Sequence, residues 1–208
     1  MGRKISNDRV RKIRKRKNKI LIAVEGTNKT EKIYFSNFDD GKKTYTITIA
    51  KGNDTDPLGL IKLLSKEIDK RDIDLSNGDI AFCIFDTDVN TKKNKIIKDA
   101  INLAKEKGIR IITSTPCIEL WFLLHFEYTT ARLSNNSVIK RLKKYLPKYE
   151  KNINIFPDIK DKVYEAIDRA KRLESFQLQN NKIISMVEAN PNTEMYKIVE
   201  ELIMQEKR

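Results

Sequence analysis

Two short apolar runs that close on acids constrain this chain more than any other feature. Residues 20–25 read ILIAVE, and residues 80–85 read IAFCIF followed at once by Asp86-Thr87-Asp88. Unbroken runs of this length, rich in Ile, Val and Phe, are the pattern of strands buried on both faces, which is the habit of parallel sheets. Between them, residues 27–39 and a stretch opened by Pro57 carry helical periodicity, the latter through Leu60, Ile61, Leu64 and Ile68. Residues 44–50 alternate Tyr45, Ile47 and Ile49 on one strand face. A third helix follows through Ile96, Ile97, Ala100, Ile101 and Ala104. Gly108 stops it, and residues 109–113 read as a fourth strand. Strand and helix in strict alternation require crossover connections, so the expectation is an α/β fold with a mostly parallel sheet flanked by helices.

Beyond Pro116 no further strand is expected. Residues 118–126 are apolar nearly all round and read as a buried helix. Residues 137–146, 159–173 and 193–204 are amphipathic, while 175–182 (SFQLQNNK) reads as a loop. At 208 residues the chain is long enough for one substantial core. The division expected is a basic, disordered arm at 1–19 and one domain over 20–208, α/β to about residue 128 and mainly helical after it. No apolar run is long enough for a membrane span, and nothing resembles a secretory signal. Cys83 and Cys117 sit in apolar contexts and read as buried thiols, so the expected compartment is the cytoplasm.

The formal net charge is +13, and it is concentrated. Residues 1–19 hold ten of the 42 basic side chains, among them Arg11, Lys12, Arg14, Lys15, Arg16 and Lys17, against the single acid Asp8. A dense cationic arm suits a polyanion, because each neutralised phosphate releases condensed counterions. The alternative is a solubilising tail.

In an open parallel sheet, ligands bind beyond the carboxyl ends of the strands. Glu25, Asp86 and Asp88 are therefore expected on one edge. Carboxylates so placed oppose one another's ionisation. A hard divalent cation, Mg²⁺ or Mn²⁺, relieves that conflict and takes oxygen ligands, commonly one or two carboxylates plus substrate phosphate. The D-x-D pair needs a bend after the strand for both aspartates to face one ion. The competing reading is solvated loop acids. Lys29 stands where a helix start can meet a phosphate, although the G-x-x-x-x-G-K-[ST] pattern of a nucleotide loop is missing. Glu119 lies among apolar residues, where a carboxylate must be paired, protonated or metal-bound. The lone histidine, His125, lies six residues later, some 120° round a regular helix. On the residues alone, a satisfied core histidine is the common outcome there.

Four stretches carry a resemblance. EGTNKTEKIYF (25–35), FDTDVN (85–90), STPCIELWFLLHFEY (114–128) and NPNTEMYKIVEEL (190–202) resemble the RloB family, which is related to AbiLii-type abortive-infection proteins. Ile118 stands where that family usually has phenylalanine. The resemblance implies a Toprim (Rossmann-like) nuclease with Mg²⁺ or Mn²⁺ as cofactor and DNA or RNA, transfer RNA among the candidates, as substrate. It implies Glu25 as the Toprim glutamate, Asp86 and Asp88 as the metal pair and Glu31 as a second acid. It brings Ser114, Glu119 and His125 toward the same cleft, with Asn190 and Thr193 as nucleic-acid contacts. A homodimer or a defence-system partner stays open. Two other functions compete: a haloacid-dehalogenase-like phosphatase, which also uses a strand-end D-x-D, and a non-catalytic nucleic-acid-binding or sensor module.

Overall fold

The structure is a computed structural model, and the residues it describes are 16–25, 29–39, 41, 43–52, 54–88 and 90–206. The chain runs β1 (Asn18–Val24), α1 (Thr30–Ser36), β2 (Tyr45–Ile49), α2 (Pro57–Lys70), β3 (Ile80–Asp86), α3 (Asn94–Glu106) and β4 (Arg110–Thr115). It continues with α4 (Glu119–Leu124), α5 (Asn135–Leu142), α6 (Phe156–Ile159), α7 (Val163–Gln179), β5 (Asn192–Thr193) and α8 (Met195–Glu206). The strands form one sheet in the order β2-β1-β3-β4-β5. The first four are parallel and β5 is antiparallel to β4. This is the mostly parallel, Rossmann-like arrangement that the alternation of elements predicts.

Alternate residues of the central strands feed two cores. Ile20, Ile22, Val24, Ile80, Phe82 and Ile84 pack with Tyr34, Trp121, Leu173 and Val199 on one face. Leu21, Ala23, Ala81, Cys83 and Phe85 pack under α2 and α3 on the other, against Leu60, Leu64, Ile97 and Ala100. Burial on both faces is why the strand sequences are unbroken apolar runs rather than alternating ones. Helix α2 starts where the sequence marks it. Pro57 supplies the fixed φ of a first turn, and Asp56 caps it by accepting from the Gly59 N–H at 2.9 Å. Both cysteines are buried free thiols. Among the described residues no helix is long and apolar enough to cross a membrane.

Two sequence expectations need correction. A fifth strand does follow Pro116. It is two polar residues long, so it shows no apolar period, and it covers the edge of β4 through the pairs Ser114–Thr193 and Thr115–Asn192. Residues 175–179 are the last turns of α7 and not loop. Gln177 is buried there, and its Nε2 donates to the Pro191 carbonyl at 2.8 Å. A polar side chain thus takes the inward position and interrupts the apolar stripe.

At the amino ends of the strands, away from the acids, Asp79 is buried. It accepts from the Lys19 N–H at 2.8 Å and the Asp74 N–H at 2.9 Å, and it pairs with Arg16. Asp79→Ala would leave two buried amides without partners, so a loss of about 2–4 kcal/mol is expected. At about 2–4 °C per kcal/mol for a chain of this size, thermal unfolding should show a clear drop without a change in any site chemistry.

Candidate metal centre

The strand order places the site. The sheet extends one way from β1 to β2 and the other way from β1 to β3, so its switch point lies between β1 and β3. That gap is where open α/β sheets bind ligands. Glu25 follows the last residue of β1, Asp86 is the last residue of β3, and Val24 pairs with Ile84 two residues before Asp86. The Asp86 backbone favours the charged form of the Glu25 carboxyl, and the Ile118 backbone that of the Asp86 carboxyl, so the two strand ends and the turn before α4 act on the same acids.

The bend that the D-x-D pair requires is present. Asp88 has φ of +52°, a left-handed conformation that aspartate tolerates better than most residues. Its N–H is held by the Pro116 carbonyl at 3.2 Å, and that of Thr87 by the Ser114 carbonyl at 3.0 Å. Thr87 is buried and donates to Thr115 Oγ1 at 3.1 Å, so its side chain anchors the turn from beneath.

Two groups of charges meet at this edge. In the outer group, Lys93 Nζ lies 2.8 Å from Asp88 Oδ2 and 3.6 Å from Glu25 Oε1. Asn135 Nδ2 donates to the other Asp88 oxygen at 3.1 Å. Burial lifts the Glu25 carboxyl above its usual range despite the opposing Lys93 charge. In the inner group, Glu119 is only 1% exposed, and its Oε1 accepts from the Tyr149 hydroxyl at 3.0 Å with Lys151 Nζ at 3.9 Å. Glu31 is buried beside it, and burial followed by the Glu119 charge pushes its carboxyl up to about 7. Asp86 joins the groups. Desolvation, then Glu31, Glu119 and Asp88, hold its carboxyl well above the normal range.

Among the described residues no three His, Cys, Asp or Glu side chains are already gathered around one point in coordinating geometry. The donor chemistry nevertheless fits a hard divalent cation. Among the described residues Glu31 Oε2 and Glu119 Oε2 are buried without a hydrogen-bond partner, and the charges of Glu25, Glu31, Asp86, Asp88 and Glu119 act on one another with Lys93 and Lys151 as the opposing cations. Mg²⁺ needs only one or two carboxylates, because water and phosphate oxygens fill its other positions.

The model of the RloB-like protein family matches residues 20–202. The chain belongs to the RloB-like family. Neither the curated proteins nor the solved structures include a significant match. In this RloB-like chain the stretches that carry the resemblance converge: residues 25–35 bring Glu25, Glu31 and Tyr34, residues 85–90 the D-x-D turn, and residues 114–128 Glu119 with Trp121. Trp121 Nε1 donates to the Tyr34 hydroxyl at 2.9 Å, which ties α4 to α1 behind the acids.

Not every expected site residue arrives there. Lys29 reaches the rim, exposed, through its backbone N–H on Asn152 Oδ1 at 3.1 Å. His125 is 2% exposed, donates from Nδ1 to the Trp121 carbonyl at 2.9 Å, and packs edge-on against the Trp121 ring. The charges that act on it most are those of Arg169 and Lys162. The helical turn that sends Glu119 to the sheet edge carries His125 away from it, into the interior, where its Nε2 has no hydrogen-bond partner among the described residues. Ser114, Asn190 and Thr193 are buried and internally satisfied, so they are not surface contacts. Ser114 and Thr193 share a hydrogen bond at 2.9 Å, and the Asn190 amide bonds both backbone groups of Leu133. Arg16 turns to Asp79 and Lys17 to the Gly41 carbonyl, both away from the acids. Arg11, Lys12, Arg14 and Lys15 lie outside the described residues. Lys93, Asn135, Tyr149 and Lys151 were not legible as site residues, since each sits in a polar run that reads as solvated surface.

Proposed function

We propose that this RloB-like chain is a Mg²⁺- or Mn²⁺-dependent nuclease of the Toprim type, cleaving DNA or RNA in phage defence. The observation that carries the reading is the placement of Glu25 and Asp86 at the carboxyl ends of the two strands flanking the switch point, with Asp88 turned back beside them. Glu25, Asp86 and Asp88 would hold the cation, with Glu31 and Glu119 as further oxygen donors. When bound, a divalent cation polarises the phosphate and lowers the pKa of an attacking water. The rest falls to the chain. Asn135 orients Asp88 through its Oδ1. Lys93, between Glu25 and Asp88, presents a positive charge to a phosphate oxygen arriving at the same gap. Glu25, at the end of β1 with Lys93 Nζ 3.6 Å from its Oε1, is placed either to hold the cation or to take a proton from water.

A haloacid-dehalogenase-like phosphatase is disfavoured by position. Its aspartates should close the first strand, whereas here they close β3 beside a glutamate that such an enzyme would not use. The test is cleavage of labelled DNA and RNA by purified protein with Mg²⁺, Mn²⁺ or excess EDTA. Asp86→Ala/Asp88→Ala should lower the metal-dependent rate by about 10³-fold or more, as expected for loss of several kcal/mol of charge stabilisation. Full cleavage by the double variant, or in EDTA, would sink the reading. Hydrolysis of p-nitrophenyl phosphate with no nucleic-acid cleavage would favour the phosphatase. Protection from phage that survives loss of the D-x-D would favour a binding module.

A further inference from the structure

Residues 135–152 leave the carboxylate edge and come back to it. Asn135 bonds Asp88 Oδ1, Tyr149 bonds Glu119 Oε1, and Asn152 Oδ1 accepts the Lys29 N–H while its own N–H donates to Thr30 Oγ1 at 3.3 Å. Between these anchors the chain turns cations outward. Lys140, Lys143, Lys144, Lys148 and Lys151 are all exposed, and Glu150 is the one acid among residues 138–152. Among the described residues Lys140, Lys143, Lys144 and Lys148 form no ion pair, and Lys151 stands at the boundary, 3.9 Å from Glu119. Unpaired like charges on one ordered surface repel one another and attract a polyanion.

An aromatic platform sits in the same stretch of chain. Tyr145 is 42% exposed. Its ring lies parallel to that of Phe126 at 4.9 Å, and its hydroxyl donates to Glu127 Oε2 at 2.8 Å, so the ring is held from behind and at its tip. Exposed rings set among lysines are how proteins hold unpaired strands, the lysines tracking phosphates and the ring stacking on a base.

We infer that the face formed by α5 and the turn after it is the substrate track, on which a single-stranded nucleic-acid segment lies with one unpaired base on Tyr145. Such a track rests on the nuclease reading and makes its substrate an unpaired strand. Continuity along the chain supports it: the lysine-rich stretch ends at Tyr149 and Lys151, which contact Glu119, so it leads from the exposed surface to the edge of the carboxylate site.

The test is fluorescence anisotropy of the full chain on labelled single-stranded oligothymidylate and oligouridylate and on a DNA duplex of equal length. Ca²⁺ replaces Mg²⁺ to prevent turnover. Lys143→Gln/Lys144→Gln/Lys148→Gln should weaken single-strand binding and reduce the log–log salt slope by about two, at about 0.7 for each phosphate no longer neutralised. The corresponding triple arginine variant should restore the slope. Tyr145→Leu should weaken single-strand binding about tenfold and duplex binding far less. All four positions are exposed, and melting temperatures will verify that each variant folds. An unchanged slope in the glutamine variant, or equal losses on duplex for Tyr145→Leu, would overturn the assignment. If that happens while Asp86→Ala/Asp88→Ala still abolishes cleavage, the track fails and the nuclease reading stands. Absence of binding and cleavage by the wild-type chain would remove both.

Discussion

Asp86→Asn should abolish cleavage and, in the metal-free protein, raise the melting temperature. Desolvation and the charges of Glu31, Glu119 and Asp88 hold the Asp86 carboxyl well above its ordinary range. An acid raised in this way is neutral in the fold at pH values where the unfolded chain has already ionised it. Folding then carries a penalty that is absent below the unfolded value near 3.8 and grows as pH rises through the folded one. Asparagine has nearly the same shape, keeps an acceptor oxygen, and carries no charge. Removing the mismatch should stabilise the metal-free protein by about 1–3 kcal/mol, which is a rise of several degrees. Saturating Mg²⁺ should reverse the order. The wild type gains stability by mass action, about 2.7 kcal/mol at a hundred times Kd, and the variant gains little. Melting curves in EDTA and in Mg²⁺ measure both arms. A lower metal-free melting temperature for Asp86→Asn would make Asp86 a structural residue, and the acids would then not be held at a cost to stability for the sake of a cation.

How far the sequence carries depends on what each residue faces. The parallel sheet was legible because β1 and β3 are buried on both faces, so Ile20, Leu21, Ile22 and Ala23 had to be apolar in succession. β5 was not, because Asn192 and Thr193 are buried polar residues whose role is to close an edge. Glu25, Asp86 and Asp88 were legible because position at a strand end is a property of the pattern. Lys93 and Tyr149 were not. Their roles come from the turn at Asp88 and from the return of residues 135–152, which bring together groups far apart in sequence. The placement of His125 was not legible for a related reason. A histidine inside an apolar block rich in chemistry-bearing residues carries no mark of which way the helix turns it.

His125→Gln should therefore separate core from site, and pH makes the separation quantitative. Burial lowers the His125 pKa to about 4 from an ordinary 6.5. A base depressed in the fold binds its proton later than the unfolded chain does, so its contribution to stability is intact above 6.5 and is lost as pH falls toward 4. The full span corresponds to at most about 3 kcal/mol. Glu31 acts in the opposite sense over an overlapping range. Its carboxyl stands at about 7 in the fold against an ordinary 4.5, so the metal-free protein recovers up to about 3 kcal/mol as pH falls from 7 to 4.5. In the wild type the His125 slope opposes that of Glu31, to which the raised Asp86 and Glu25 carboxyls add. His125→Gln should lose about 1–3 kcal/mol at neutral pH, since the ring fills a buried space against Trp121 and bonds its carbonyl. Below pH 6.5 the deficit should shrink, leaving the slope of Glu31 and the other raised carboxyls exposed. Glu31→Gln should show the reverse, a protein stabilised at pH 7 whose advantage over wild type shrinks as pH falls from 7 to 4.5. Denaturant unfolding in EDTA across pH 4 to 8 checks both. The decisive companion measurement is cleavage per folded molecule. For His125→Gln it should stay within about twofold of wild type, whereas loss of a general acid costs about 10²–10⁴-fold. A fall of that size at unchanged folded fraction would return His125 to the active-site wall.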